Sequence, residues 1–394
     1  MQALVLDTPR KTGVIQTIPI PTPGPDELLI KVIAVALNPV DALYTANPLG
    51  ASGRTVGSDF AGIVSARGSN VDHIKLNQRV AGFLQGACSV NDRPGAFAEY
   101  LITPYDLIWL VPDDMSLNEA ATISLCGLTA AQALFCRLGL TPPFLVDGRE
   151  KLDKIEETNP QEGEVGENES LKFFIYGAST SVGLYTAQLV HLSSKASGKS
   201  ISLYGTASSK HHQMLAKAPF CYDGLVDYKD DDWPARIRKL SGGKGIDFAF
   251  DCVSEGNSVS LVASTLSAKG NIAVVRSREG GAWTEDERTQ NSDPLYGAVW
   301  AGLGERVEYQ GMTVPASPEA RKFAVEFYKY LSNSPLLPNP VRLMPGGLKR
   351  IVEDGFELLG TGTMGQRAVD REEKWMKPVS GEKLVYEVQT DHGN

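Results

Sequence analysis

The sequence predicts an α/β protein with two domains: a small, partly closed β-barrel, and a doubly wound parallel sheet inserted into it. Three observations carry this. Residues 1 to about 125 run as short apolar stretches broken by Gly/Pro turns, such as ALVL, PTPGPDE and LLIKVIAVAL. From 171 to about 310 apolar strands alternate with helical patterns. Near the end, 383-KLVYEV-388 reads as a strand that needs a partner, and the early barrel strands can supply one. The barrel domain is therefore assigned 1–128 and 312–394, and the inserted domain 129–311.

The chain has 394 residues, enough for two domains. A hydrophobic content of 42% is that of an ordinary globular protein. The formal net charge of -9 argues against nucleic acid or an anionic membrane as the main partner. Cys88, Cys126, Cys136, Cys221 and Cys252 are scattered and odd in number, which suits free thiols in a reducing compartment. The start, MQALVLDTPR, has no basic and apolar leader pattern. No run approaches the ~18 apolar residues of a bilayer span. The expectation is a cytoplasmic protein, with neither nucleic acid nor membrane as partner.

Along the barrel domain, 57-GSDFAGIVSARGSN-70, 79-RVAGFL-84 and 95-GAFAEYLIT-103 continue the strand rhythm. Ser116 with Glu119 fits a capping box, and Ala-rich helical spacing follows to Phe135. Residues 147–169 carry abundant charge and no period, and read as a mobile insertion. After it come the strand LKFFIY and a helix near 182–193. The strand SISLYGTA precedes a helix near 209–217, and GLVDY precedes the helical DDWPARIRKL. IDFAFDC, a helix near 257–267 and GNIAVV complete the alternation. A last helix is expected at 318–332.

The turn in 173-FFIYGASTSVGLYTAQL-189 has the strand, turn and helix of a dinucleotide site. The three glycine places of the G-x-G-x-x-G fingerprint fall on Ala178, Thr180 and Gly183, with Gly177 just before them. A β-branched residue avoids positive φ, so Thr180 requires ordinary backbone here. Ser179, Thr180 and Ser181 offer three hydroxyls beside a helix N-terminus, which favours anions. They would also cap the helix, and capping is compatible with binding phosphate. A site for NAD ends the next strand with an acid for the ribose hydroxyl. Here 203-LYGTASSKHHQ-213 has none, and Ser208, Ser209, Lys210 and His211 suit a 2′-phosphate. NADPH is the expected cofactor. Tyr228, after the third strand, could flank the same phosphate or be a strand-end aromatic.

Zinc needs Cys or His ligands at suitable spacing. The chain has five His, none paired with Cys at that spacing, and no metal is assigned. No G-x-S-x-G elbow is present for a serine nucleophile.

The segments 36-ALNPVD-41, 57-GSDFAGIV-64, 79-RVAGF-83 and 95-GAFAEY-100 resemble the zinc-independent medium-chain dehydrogenases/reductases of the quinone oxidoreductase-like branch. Within it, 125-LCGLTAAQ-132, 179-STSV-182 and 379-VSGEKLVYEV-388 are similar to the trans-acting enoyl reductases of fungal polyketide pathways, the lovastatin type. The resemblance implies a GroES-like barrel plus a Rossmann domain, with an active site in the cleft between them. It implies that NADPH is held by Ser179, Thr180, Ser181 and Val182, by Ser208, Ser209, Lys210 and His211, and by Tyr228. Arg276, Ser277, Ser380 and Gly381 would close over the cofactor, and Val40, Asp41, Ala42 and Leu43 would approach it from the barrel. The substrate would lie along Leu125, Cys126, Gly127, Leu128, Thr129, Ala130, Ala131 and Gln132, and near Ala298, Val299 and Trp300. Leu43 stands where the lovastatin-type enzyme has lysine, and the insertion at 147–169 and the tail 361–380 are further departures.

The implied reaction is hydride transfer from NADPH to the β-carbon of an α,β-unsaturated thioester, with charge developing on the thioester oxygen. Tyr44 and Thr129 are the candidate polar contacts; Tyr44 can equally be a barrel-surface aromatic and Thr129 a plain helix residue. Water is a further proton source. Three functions stay open: an enoyl reductase acting on a carrier-bound polyketide beside a polyketide synthase, a general NADPH quinone or alkenal reductase, and a non-catalytic accessory protein. Monomer and homodimer are both open, and strand 201–206 could offer a pairing edge.

Overall fold

The computed structural model describes residues 1–88, 93–145, 170–309, 312–367 and 369–388. The expected insertion at 147–169 lies outside the described residues. Two compact units form: Met1–Cys126 with Trp300–Asn394, and Gly127–Val299.

The first unit opens with the hairpin of β1 (Gln2–Asp7) and β2 (Thr12–Thr17). Then come β3 (Glu27–Ala36), the short helix α1 (Pro39–Ala46), β4 (Asp59–Arg67), β5 (Arg79–Phe83), β6 (Tyr100–Pro104) and β7 (Ile108–Leu110). From Glu27 to Ala34, β3 buries every second residue, as a strand with one core face should. It pairs antiparallel with both β4 and β6, which bends the sheet toward a half-barrel. The capping box expected at Ser116 is present, the hydroxyl accepting from Glu119 N at 3.2 Å, and it starts α2 (Leu117–Ala120). After it α3 (Ser124–Ala131) continues through a wider π turn to Arg137. The whole stretch Leu117–Arg137 is long and apolar enough to cross a membrane, against the sequence expectation. Its most apolar window is 78% buried inside the protein, which is how a core helix of a globular fold reads.

The second unit contains β8 (Leu171–Tyr176), α4 (Ser181–Ser197), β9 (Ile201–Thr206), α5 (His212–Leu215), β10 (Gly224–Val226), α6 (Trp233–Leu240), β11 (Ile246–Asp251), α7 (Ser258–Ala263), β12 (Leu266–Val274), α8 (Glu287–Ser292) and β13 (Leu295–Tyr296). All of its strand pairs are parallel, in the order β10-β9-β8-β11-β12-β13. This is the doubly wound arrangement, and it puts the topological switch point between β8 and β11. Phe173, Phe174 and Ile175 are all fully buried, because a central parallel strand has helices on both faces. The helix expected over 209–217 is shorter: a 3-10 turn at Ser209–His211, then the single turn of α5. Leu215 is its only fully buried residue, too little apolar surface to extend it. The helix expected over 257–267 ends at Ala263, and Leu266 already belongs to β12. Strand 201–206 is not an edge; it lies between β10 and β8.

The chain then returns to the first unit with β14 (Val307–Tyr309), β15 (Met312–Val314), α9 (Pro318–Asn333), β16 (Val341–Met344) and β17 (Lys383–Glu387). As expected for the tail strand, β17 joins the barrel sheet, antiparallel to β3 and parallel to β16. The departure at 361–380 is tied down rather than loose. Trp375 and Met376 pack against the barrel core. The fully buried Asp354 accepts from Arg350, Arg371 and Trp375 Nε1, at 2.7, 3.0 and 3.1 Å.

Candidate functional site

In the second unit, β8 ends at Tyr176 and the chain turns at Gly177, whose φ of 77° is left-handed. A Cβ there would lie 2.8 Å from Val253 Cγ2, so conformation and space both demand glycine. The turn is tied to β9: Ala178 N donates to Thr206 O at 2.8 Å and Gly177 N to Thr206 Oγ1 at 3.3 Å. Thr180 has ordinary backbone, φ -72°, as its β-branched side chain requires. Its hydroxyl accepts from Gly183 N at 3.1 Å and donates to Gly177 O at 2.8 Å. Thr180 is thus the N-cap of α4, and its one hydroxyl proton is already used. Ser179 and Ser181 make no side-chain hydrogen bond among the described residues. They remain available, together with the first-turn amides of Ser181 and Val182. A Cβ on Gly183 would meet Gly177 O at 2.4 Å, so this glycine permits the close packing of helix and strand.

Beyond β9, Ser208, Ser209, Lys210 and His211 follow Ala207 on the surface side of the sheet end. Lys210 is exposed and makes no ion pair among the described residues. Ser208 Oγ stands 3.5 Å from the hydroxyl of Tyr228, itself 44% exposed. Asp227 is the unforeseen neighbour. Its carboxylate takes the amide of Ser209 at 2.8 Å and the hydroxyl at 2.5 Å. The Ser209 hydroxyl, with the backbone amides of Lys229 and Ser209, holds that carboxyl down to about 2. The sequence reading found no acid on the second strand; one arrives from the third. Thr206, by contrast, is fully buried with both oxygens engaged by the turn.

The other residues named for this unit divide sharply. Arg276 pairs with Glu255 at 2.8 Å, and its carbonyl accepts from Trp283 Nε1. Ser277 is fully buried and accepts from Gly280 N. Of the residues 127–132, Gly127, Leu128, Ala130, Ala131 and Gln132 are buried, and Thr129 alone is half-exposed. Gln132 Nε2 reaches Val299 O at 3.5 Å, and Ala298 and Val299 are nearly buried.

In the first unit, α1 buries Asp41, Ala42 and Tyr44 and leaves Val40 and Leu43 half-exposed on one face. What α1 can offer a ligand is therefore an apolar edge. Tyr44 is 3% exposed, so it is a core side chain and not a barrel-surface aromatic. Ser380 precedes Gly381, whose φ is 69°. Leu125, Cys126 and Trp300 are buried.

Beneath α1 lies a closed polar cluster. Lys383 Nζ, on β17, is 2.6 Å from Asp59 Oδ2, 3.2 Å from Thr122 O and 3.5 Å from Cys126 Sγ. Asp59 also accepts from Leu125 N at 2.9 Å and Asn38 Nδ2 at 2.8 Å. Asn38 Nδ2 donates to Ser58 Oγ at 2.9 Å, and Ser58 donates to Asp41 Oδ2 at 3.1 Å. Asn38 N donates to the same Asp41 oxygen at 2.7 Å. Burial pulls the Lys383 ammonium down, and Asp59 and Cys126 beside it together more than reverse this, leaving it above its ordinary value. Burial pushes the Cys126 thiol up, with Lys383 opposing. Burial also pushes Asp41 up to about 7, against its hydrogen bonds from Asn38 and Ser58. Among the described residues its second oxygen, Oδ1, has no hydrogen-bond partner.

These two units, a half-barrel with a tail strand and a doubly wound parallel sheet whose first strand turns into a capped helix, are the architecture of a class of oxidoreductase. The alcohol dehydrogenase GroES-like domain model matches residues 24–113, and the zinc-binding dehydrogenase model matches 182–291. The trans-enoyl reductase traG of Penicillium crustosum is 30% identical over 98% of this chain and 96% of its own length. The trans-enoyl reductase ACTTS2 of Alternaria alternata is 28% identical over 98% of each. Among solved structures, the CurK enoyl reductase superposes with a TM-score of 0.68 at 18% identity, covering 98% of this chain and 99% of that one. The mycobacterial Rv1454c complexed with NADPH gives 0.65 at 19% identity, covering 98% and 100%. The chain belongs to the medium-chain dehydrogenase/reductase family and, within it, to the trans-enoyl reductases.

The second model's description raises zinc, and the donor set does not fit it. The carboxylate and thiol that could serve, Asp59 and Cys126, are already bridged by the Lys383 ammonium. Among the described residues, no group of three His, Cys, Asp or Glu is gathered as ligands. The donor set suits a dinucleotide better: at the N-terminus of the 17-residue α4, the hydroxyls of Ser179 and Ser181 and the first-turn amides of Ser181 and Val182 have no partner among the described residues. Sequence reasoning missed Asp227, Asp59 and Lys383 as site residues. The one signal for Lys383 is a lysine opening a mostly apolar strand, KLVYEV.

Proposed function

We propose that this chain is an NADPH-dependent, zinc-independent enoyl reductase that acts in trans on a carrier-bound α,β-unsaturated polyketide thioester, beside a polyketide synthase in the cytoplasm. The observation that carries the reading is its full-length similarity to the trans-enoyl reductases, joined to a phosphate turn that keeps its cap and its close-packing glycine. Bound NADPH supplies the hydride. Ser179, Ser181 and the amides of Ser181 and Val182 hold the pyrophosphate at the N-terminus of α4. Ser208, Lys210 and His211, with Tyr228, face the 2′-phosphate. The apolar edge of Val40 and Leu43 excludes water from the nicotinamide end. Thr129, the half-exposed member of its helix, is the polar contact for the thioester oxygen, and water delivers the α-proton. With Leu43 in place of lysine, α1 contributes no cation to that oxygen, so orientation and water exclusion carry the rate.

Asp227 favours a second reading of the cofactor, because a carboxylate beside Ser209 repels a phosphate. NADPH and NADH are compared as hydride donors to a short enoyl thioester and to a quinone, following loss of nicotinamide absorbance. The proposal expects NADPH with the thioester to be fastest. Preference for the quinone sinks the polyketide reading and leaves a general reductase. No binding of either nucleotide at millimolar concentration leaves an accessory protein.

A further inference from the structure

Lys383 and Asp59 form an ion pair with side chains 2% and 0% exposed. A buried pair of this kind is weak support for stability, since desolvation offsets most of its attraction. What the pair touches suggests a different use. All three Lys383 protons are directed: at Asp59 Oδ2, Thr122 O and Cys126 Sγ. Asp59 in turn holds the first turn of α3 through Leu125 N, and the entry to α1 through Asn38 Nδ2. Asn38 Oδ1 then accepts from Cys126 Sγ at 3.4 Å, closing the ring. One cation on β17 thus sets the mutual position of two otherwise separate segments.

We propose that Lys383 is a positioning residue for hydride transfer: through Asp59 it fixes Leu125 and Asn38, and with them the segments 40–43 and 125–126 assigned to cofactor and substrate. This rests on the function proposed above. Lys383 touches neither reactant in this account; it acts through Asp59. Because the phosphate turn lies in the other unit and shares none of these bonds, nucleotide affinity is expected to be spared while turnover falls.

The test is the charge-neutral pair Lys383→Met with Asp59→Asn in the full chain. Expected are a Kd for NADPH within about three-fold of the parent and a kcat lowered about ten- to hundred-fold, as a misplacement of about 1 Å can produce. Amide exchange over residues 121–128 is expected to speed up at least about ten-fold. A purely structural pair would lower melting temperature and leave kcat and local exchange unchanged, and that result overturns the proposal. If the pair variant does not fold, Asn38→Leu breaks the arm to α1 without stranding a charge. It should lower kcat with NADPH affinity intact, and an unchanged kcat there overturns the proposal too. A parent protein that binds NADPH yet does not reduce the thioester refutes the assigned reaction. Exchange over 121–128 in the pair variant still decides the positioning claim.

Discussion

Replacing Asp41 by Asn should flatten the pH dependence of stability. In the folded protein this carboxyl is 1% exposed and its pKa is pushed from 3.8 up to about 7, chiefly by burial. Between pH 4 and 7 the unfolded chain has released this proton while the folded chain still holds it. Stability therefore falls as pH rises through that window and levels off above pH 7. The shift is about 3 units, and at about 1.36 kcal/mol per unit the loss approaches about 4 kcal/mol, an upper bound because the surroundings relax. The groups facing Asp41 are Asn38, Ser58, Asp59, Lys383, Cys88 and Cys126. Asn keeps an acceptor for Asn38 N and Ser58 but has no proton to lose. Urea unfolding of parent and variant at pH 4, 5, 6, 7 and 8 isolates this site as a difference. Asp251, pushed up to about 6 by burial in the other unit, slopes the same way in both proteins and cancels. The variant should gain on the parent steadily from pH 4 to 7. Parallel curves would mean that Asp41 is already charged in the fold, and the reasoning from burial would be wrong.

The turn before α4 and the end of β10 give three more expectations. Gly183→Ala places a Cβ 2.4 Å from Gly177 O, a backbone atom that cannot step aside, so stability should drop about 1–3 kcal/mol and NADPH affinity at least about ten-fold, read by melting and fluorescence titration. Thr180→Gly should lose only a few tenths of a kcal/mol and still bind, whereas Thr180→Ala should lose about 1 kcal/mol, measured by denaturant unfolding; equal losses would deny Thr180 its role as cap. Asp227→Asn should tighten NADPH about two- to five-fold and leave NADH unchanged, as expected for removing one exposed charge beside a phosphate. An unchanged ratio of the two dissociation constants would remove Ser209 and its neighbours from the 2′-phosphate.

Much of this architecture was legible because it is local. The alternation of LKFFIY, SISLYGTA and IDFAFDC with helical runs named the parallel sheet, and the β-branched side chain of Thr180 foretold its ordinary φ. Hydroxyls were harder. Sequence shows that Thr180 has a donor but not that Gly177 O has already claimed it. The strand end 203-LYGTASSKHHQ-213 shows hydroxyls in sequence but not that Thr206 among them is fully buried and braces the turn. Tyr44 was open between a polar contact and a barrel-surface aromatic because the spacing of a two-turn helix does not say which face is inward. Asp227 was hidden by arriving from the next strand, and Lys383 by distance along the chain.

That distance has a consequence for how the protein is made. Lys383 and Asp59 are 324 residues apart, and most strands of the half-barrel are complete by Leu110. On a ribosome adding about 5–20 residues per second, Asp59 waits roughly 15–65 seconds for its cation. Throughout that interval the Asp59 carboxylate cannot enter the core cheaply, so the half-barrel must stay open or hydrated at this point. The sheet thus keeps one unfinished point until β17 has emerged, and the inserted unit is synthesised wholly within that interval.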